Sequence, residues 1–169
     1  MLPFRFSTLY ALLLAFVALP LAGCDSSDDG DGGGSNANCP NAASGTFTAQ
    51  AGGSSFDAAC IQVVNTSGVF NLTGIENFGQ TGNSDQEFLS IVLTNAAVGQ
   101  FSVGVLGAVV TYSETGANFD PNDAYTAISG SVNVTALSGS AATGTFSVTV
   151  RNNAGDQIQI SSGSFDVTF

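Results

Sequence analysis

With 169 residues the chain can fold one domain around a real core, and 13 Asp and Glu against two basic residues, with no His, leave a net charge of −11 at pH 7. Such a surface repels phosphate backbones, because nucleic-acid affinity comes largely from Lys and Arg neutralising phosphates, and it lacks the polybasic patch that binds anionic headgroups. Without His or Lys, the usual base beside a serine or cysteine nucleophile is also missing, so the chain reads as a non-enzyme with no cofactor.

In chain order, Arg5 precedes an apolar run from Leu9 to Leu19, and small residues lead into Leu21-Ala22-Gly23-Cys24. That is the layout of a secretory signal. The run is too short for a membrane span, which takes ~20 apolar residues, and Pro20 interrupts it. The Leu-Ala-Gly-Cys ending resembles the lipobox of bacterial lipoproteins. That resemblance implies removal of residues 1–23, acylation of Cys24, and attachment to the outer membrane through the acyl chains, on its periplasmic or cell-surface face. Arg151 is then the only basic side chain retained.

Residues 24–44 read as the lipidated cysteine and a tether. Within them, 25–36 hold only Asp, Ser, Gly and Asn, a composition that stays loose and self-repelling. With Cys24 carrying lipid, Cys39 and Cys60 remain as a pair, and in an oxidising compartment a disulfide is the default. A thiolate metal site would need further Cys or His, and the sequence has none.

Residues 45–169 alternate with period two. Val132 and Val134 oppose Ser131, Asn133 and Thr135; Phe146, Val148 and Val150 oppose Thr145, Ser147 and Thr149; Ile158 and Ile160 oppose Gln157 and Gln159; Phe165, Val167 and Phe169 oppose Asp166 and Thr168. Strands are expected near 45–51, 54–58, 60–66, 68–76, 86–95, 99–106, 108–114, 124–136, 143–151 and 157–169. They predict an all-β domain, an antiparallel β-sandwich or flattened β-barrel of about nine or ten strands. A phrase of Gly, any residue, Phe recurs at Gly45–Phe47, Gly68–Phe70, Gly99–Phe101, Gly144–Phe146 and Gly163–Phe165. It reads as a glycine that frees the chain leaving a turn, then an inward-pointing ring. The absence of Trp and of an aromatic girdle argues against a membrane-spanning barrel.

The last third, from Tyr125-Thr-Ala-Ile through Gly144-Thr-Phe-Ser-Val to Gly163-Ser-Phe-Asp-Val-Thr-Phe169, resembles the closing strands of a family of uncharacterised lipoproteins from Bacteroidota. The resemblance implies an all-β, lipid-anchored envelope protein and carries no catalytic residue.

Chemistry-bearing side chains are sparse. Asn118, Asp120, Asn122 and Asp123 crowd oxygen atoms into one segment and make a weak calcium candidate. An EF-hand would have glycine and glutamate where Asp123 and Ser129 stand, and an ordinary turn around Pro121 explains the segment equally well. Glu76, Asp85, Glu87, Glu114, Asp120 and Asp123 are the acids from which a carboxylate-only glycoside hydrolase would draw its pair. The reading that leads is a non-catalytic binding or structural surface module of the cell envelope, with a glycan or an envelope protein as partner. A calycin-like carrier of a small apolar ligand and the glycoside hydrolase are the alternatives. An enclosed cavity would favour the first of these and a carboxylate pair in a cleft the second.

Overall fold

Period-two alternation buries one face of each strand, and the chain answers with ten antiparallel strands in a computed structural model that describes residues 39–79, 86–104, 107–115 and 124–169. They are β1 (Ser44–Ala51), β2 (Ser54–Asp57), β3 (Cys60–Thr66), β4 (Val69–Ile75), β5 (Gln86–Thr94), β6 (Gly99–Ser102), β7 (Ala108–Thr115), β8 (Ala124–Leu137), β9 (Ala141–Arg151) and β10 (Gln157–Thr168). No helix occurs among the described residues. All strands belong to one sheet in the order β2-β1-β10-β9-β8-β7-β5-β4-β3, with β6 pairing β8 beside β7.

The sheet curls on itself, so that β3-β4-β5-β7 faces β8-β9-β10-β1. Between the two walls, Phe70 meets Phe165 and Phe169 at ring-centroid distances of 6.2 and 6.1 Å, and within the second wall Phe47 meets Phe146 at 5.8 Å. Leu72, Leu89, Ile91, Leu93, Val110, Val132 and Ile160 fill the space between the rings and are fully buried. Side chains from opposite walls therefore touch across the middle, as in a flattened barrel.

The walls are joined along a seam. β2 runs into β3 through Ala58 and Ala59, which bond to opposite neighbours: Ala58 N–H donates to the Phe47 carbonyl at 3.0 Å, and Ala59 N–H to the Ile75 carbonyl at 2.9 Å. Ahead of β1, Ala43 N–H donates to the Ile61 carbonyl at 2.8 Å, and Ala42 bridges Gln62. The Cys39–Cys60 disulfide, with Cα atoms 5.7 Å apart, locks the same corner. Pro40–Ala43 are thus bonded to β3, just outside the strand expected from residue 45.

Tight turns match their sequences. Ser67-Gly68, both at positive φ, and Gly52-Gly53 make two-residue hairpins whose twist suits the flanking strands. The strand expected over 99–106 ends at Ser102, and its last two positions, 105 and 106, lie outside the described residues. Val103 N–H donates to the Gly130 carbonyl at 3.0 Å, and Val103 then bridges Ala108 in parallel.

The recurrent Gly-x-Phe phrase packs the core: Phe47, Phe70, Phe146 and Phe165 are buried, and Phe101 packs partly buried against them. Its glycines serve two purposes. Gly45, Gly68 and Gly99 have positive φ, as a turn exit requires, but Gly144 and Gly163 do not. In the antiparallel pair β9–β10, Gly163 stands opposite Phe146 and Gly144 opposite Phe165. A Cβ on Gly163 would lie 2.5–2.6 Å from three atoms of the Phe146 ring, and one on Gly144 would strike the Phe165 ring. Two copies of one phrase, running in opposite directions, each lend the other's ring the room a missing side chain leaves.

Candidate functional site

Two arrangements stand out, one at an end of the barrel and one on its outer face. At the end, Glu87 of β5 lies directly opposite Glu114 of β7, and Glu76, just past β4, donates its N–H to the Glu87 carbonyl at 2.9 Å. Each continues an inward-facing series: Phe70, Leu72 and Gly74 before Glu76; Leu93, Ile91 and Leu89 before Glu87; Val110 and Tyr112 before Glu114. Like charges opposed across a ladder are unfavourable. Tyr112 relieves them: its hydroxyl lies 2.8 Å from Glu87 Oε2 and 2.9 Å from Glu114 Oε1. A phenol has one hydrogen, so the hydroxyl donates to one carboxylate at a time. Burial pushes the Glu87 carboxyl above its ordinary value of 4.5, with Glu76 and Glu114 adding to the rise and the Tyr112 hydrogen bond opposing it. Burial and the two carboxylates likewise raise the Tyr112 phenol, which stays protonated. The Tyr125 ring lies beside Tyr112, centroids 6.1 Å apart.

Of the acids singled out in the sequence, the structure brings together Glu76, Glu87 and Glu114. Asp85, Asp120 and Asp123 lie outside the described residues, as do Asn118 and Asn122 of the calcium candidate, and Cys24. Between Glu87 and Glu114, where a hydrolase pair would hold a sugar carbon, sits the Tyr112 hydroxyl. Among the described residues no group of three or more His, Cys, Asp or Glu is placed to hold a metal ion.

The second arrangement is an open groove of about 370 Å³ on the outside of β8-β9-β10. Its walls are Ser131 and Asn133 from β8, Thr145 and Ser147 from β9, and Ser162 and Ser164 from β10, with Gly163 and the strand at Phe146, whose ring is buried beneath, as floor. Regular pleating gives no such hollow; a bulge does. β10 carries an extra residue between Ile160 and Gly163, and Ser162 there adopts φ 51°. β8 bulges between Ala127 and Ser129, next to Gly130 at φ 111°, where a Cβ would strike the Ser147 carbonyl oxygen. Several wall side chains are held from behind. Gln100 Nε2 donates to Ser131 Oγ at 3.0 Å, Gln159 Nε2 to Ser147 Oγ at 3.4 Å, and the Thr48 and Ser164 hydroxyls share a bond of 3.1 Å.

In the sequence the groove residues read only as solvent-facing polar positions. The signal for the hollow is a phase flip in the last strand, from even-numbered Ile158 and Ile160 to odd-numbered Phe165 and Val167. No family model, no curated protein and no solved structure matches the chain.

Proposed function

We propose that the chain is an exported lipoprotein of a bacterial cell envelope, held to the outer membrane through acyl chains on Cys24, whose β body is a non-catalytic binding module working through its outer face. The observation that carries this reading is the Cys39–Cys60 disulfide. It suits an oxidising compartment and leaves Cys24, at the end of the apolar leader, as the remaining thiol for acylation. The interior speaks against a carrier, since Phe70 meets Phe165 and Phe169 of the opposite wall in the space an apolar ligand would need. The Tyr112 hydroxyl between Glu87 and Glu114 speaks against a glycoside hydrolase, because it fills the gap in which substrate would react.

The test is mass spectrometry and cell fractionation of the full chain produced in a bacterial host. The expected product starts at an acylated Cys24 and sediments with membranes, while Cys24→Ser abolishes both. An unmodified Cys24 in a soluble product would overturn the reading.

A further inference from the structure

We infer that the groove over the β10 bulge is a binding site for a neutral saccharide; this deepens the proposed function, on which the body binds through its outer face. Charge narrows the ligand first. In a chain of net charge −11, no ionisable side chain lines the groove, so neither an anionic nor a cationic ligand finds a counter-charge there. The chemistry of the walls narrows it further. Four Ser, one Thr and one Asn offer hydroxyl and amide groups that both donate and accept, as the hydroxyls of a sugar require in return. On the floor, Gly163 carries no side chain, so the bottom of the groove is bare backbone over the buried Phe146.

A peptide is a poorer occupant. Extended peptides dock by adding a strand to a free sheet edge, and β8, β9 and β10 are each paired on both sides. Recognition must come from side chains alone. The hollow is also built at a cost: Ser162 sits in left-handed backbone, a conformation that favours glycine, within a bulge that interrupts the ladder. The volume, about 370 Å³, falls in the range of small-ligand sites, ~300–1,000 Å³.

The experiment is affinity electrophoresis of the full acylated chain in detergent micelles, through native gels cast with mannan, xylan, a soluble β-glucan, or polygalacturonate as the anionic probe. At least one neutral polysaccharide is expected to retard the protein and polygalacturonate is not. Asn133→Ala combined with Thr145→Val, both at exposed positions, is expected to weaken the retardation about tenfold, whereas Thr111→Val on the opposite wall leaves it unchanged. Unaltered mobility in every neutral gel, or equal retardation of the double variant, overturns the inference; acylation of Cys24, and with it the lipoprotein reading, would still stand. An unacylated chain that is retarded normally would sink that reading and support this one.

Discussion

The two walls of the barrel have the same alternating composition and different outer surfaces. β3-β4-β5-β7 keeps an unbroken register from strand to strand, and its outside is a plain lattice: Val64, Val69 and Val109 stand exposed beside the hydrogen-bonded Asn71, Thr73 and Ser90. The facing wall breaks register twice in β8, at Ala127/Ser129 and Val134/Ala136, and once in β10, at Ile160/Gly163. There the hydroxyl-bearing residues surround a hollow. An inserted residue bends the strand and re-aims the side chains beyond it, so concavity here arises from register rather than from composition. The regular wall closes the core, and the bulged wall carries the candidate site.

The seam that joins the walls should matter most. With its cysteines 21 positions apart in sequence, the disulfide is expected to contribute about 3 kcal/mol. The Cys39→Ser, Cys60→Ser double variant should therefore show a markedly lower urea midpoint than the oxidised parent, and equal midpoints would mean that the seam is held by its backbone bonds alone. Next comes the bulged wall. Gly163→Ala drives a methyl group into the Phe146 ring and should cost about 1–3 kcal/mol, partly recovered by adding Phe146→Leu. A neutral Gly163→Ala would show that the ring retreats freely and that the groove floor is soft.

The acidic end gives a smaller, pH-dependent effect. Because the Glu87 carboxyl is raised in the folded state, the native protein binds that proton more tightly than the unfolded chain does. Its contribution is fully present below the ordinary value of 4.5 and is lost as pH rises through the native value, so thermal stability should fall over that window. Glu87→Gln should flatten the slope and melt above the parent at neutral pH; an unchanged profile would place the protonation elsewhere. The smallest effect is expected on the regular wall. Val64→Thr and Val69→Thr should shift stability by no more than about 0.5 kcal/mol and leave polysaccharide retardation intact. If either abolishes retardation, the binding surface lies on the regular wall instead.

Most strands were legible because period-two burial needs only local sequence. The expected edges at 60–66, 86–95 and 157–169 lie within one residue of the observed β3, β5 and β10. The glycines of β9 and β10 were legible in position but not in role. Gly144 and Gly163 resemble turn exits until the register sets each opposite a phenylalanine from the neighbouring strand. The same holds for Tyr112, whose place two residues before Glu114 marks it as inward-facing, while its contact with Glu87 depends on how β5 and β7 align. The groove was illegible for a stronger reason: Ser131, Thr145 and Ser162 come from three strands, and only the bulge brings them to one rim.

Saccharide binding on the bulged wall is tested most sharply by mapping a bound neutral oligosaccharide through amide chemical-shift changes in the isotopically labelled chain. Shifts should concentrate at Ser131, Asn133, Thr145, Ser147 and Ser162–Ser164, with β4 and β5 silent. Shifts centred on Leu72, Leu89 and Ile91 in the interior, or on the exposed face around Val64 and Val69, would refute a site in the groove.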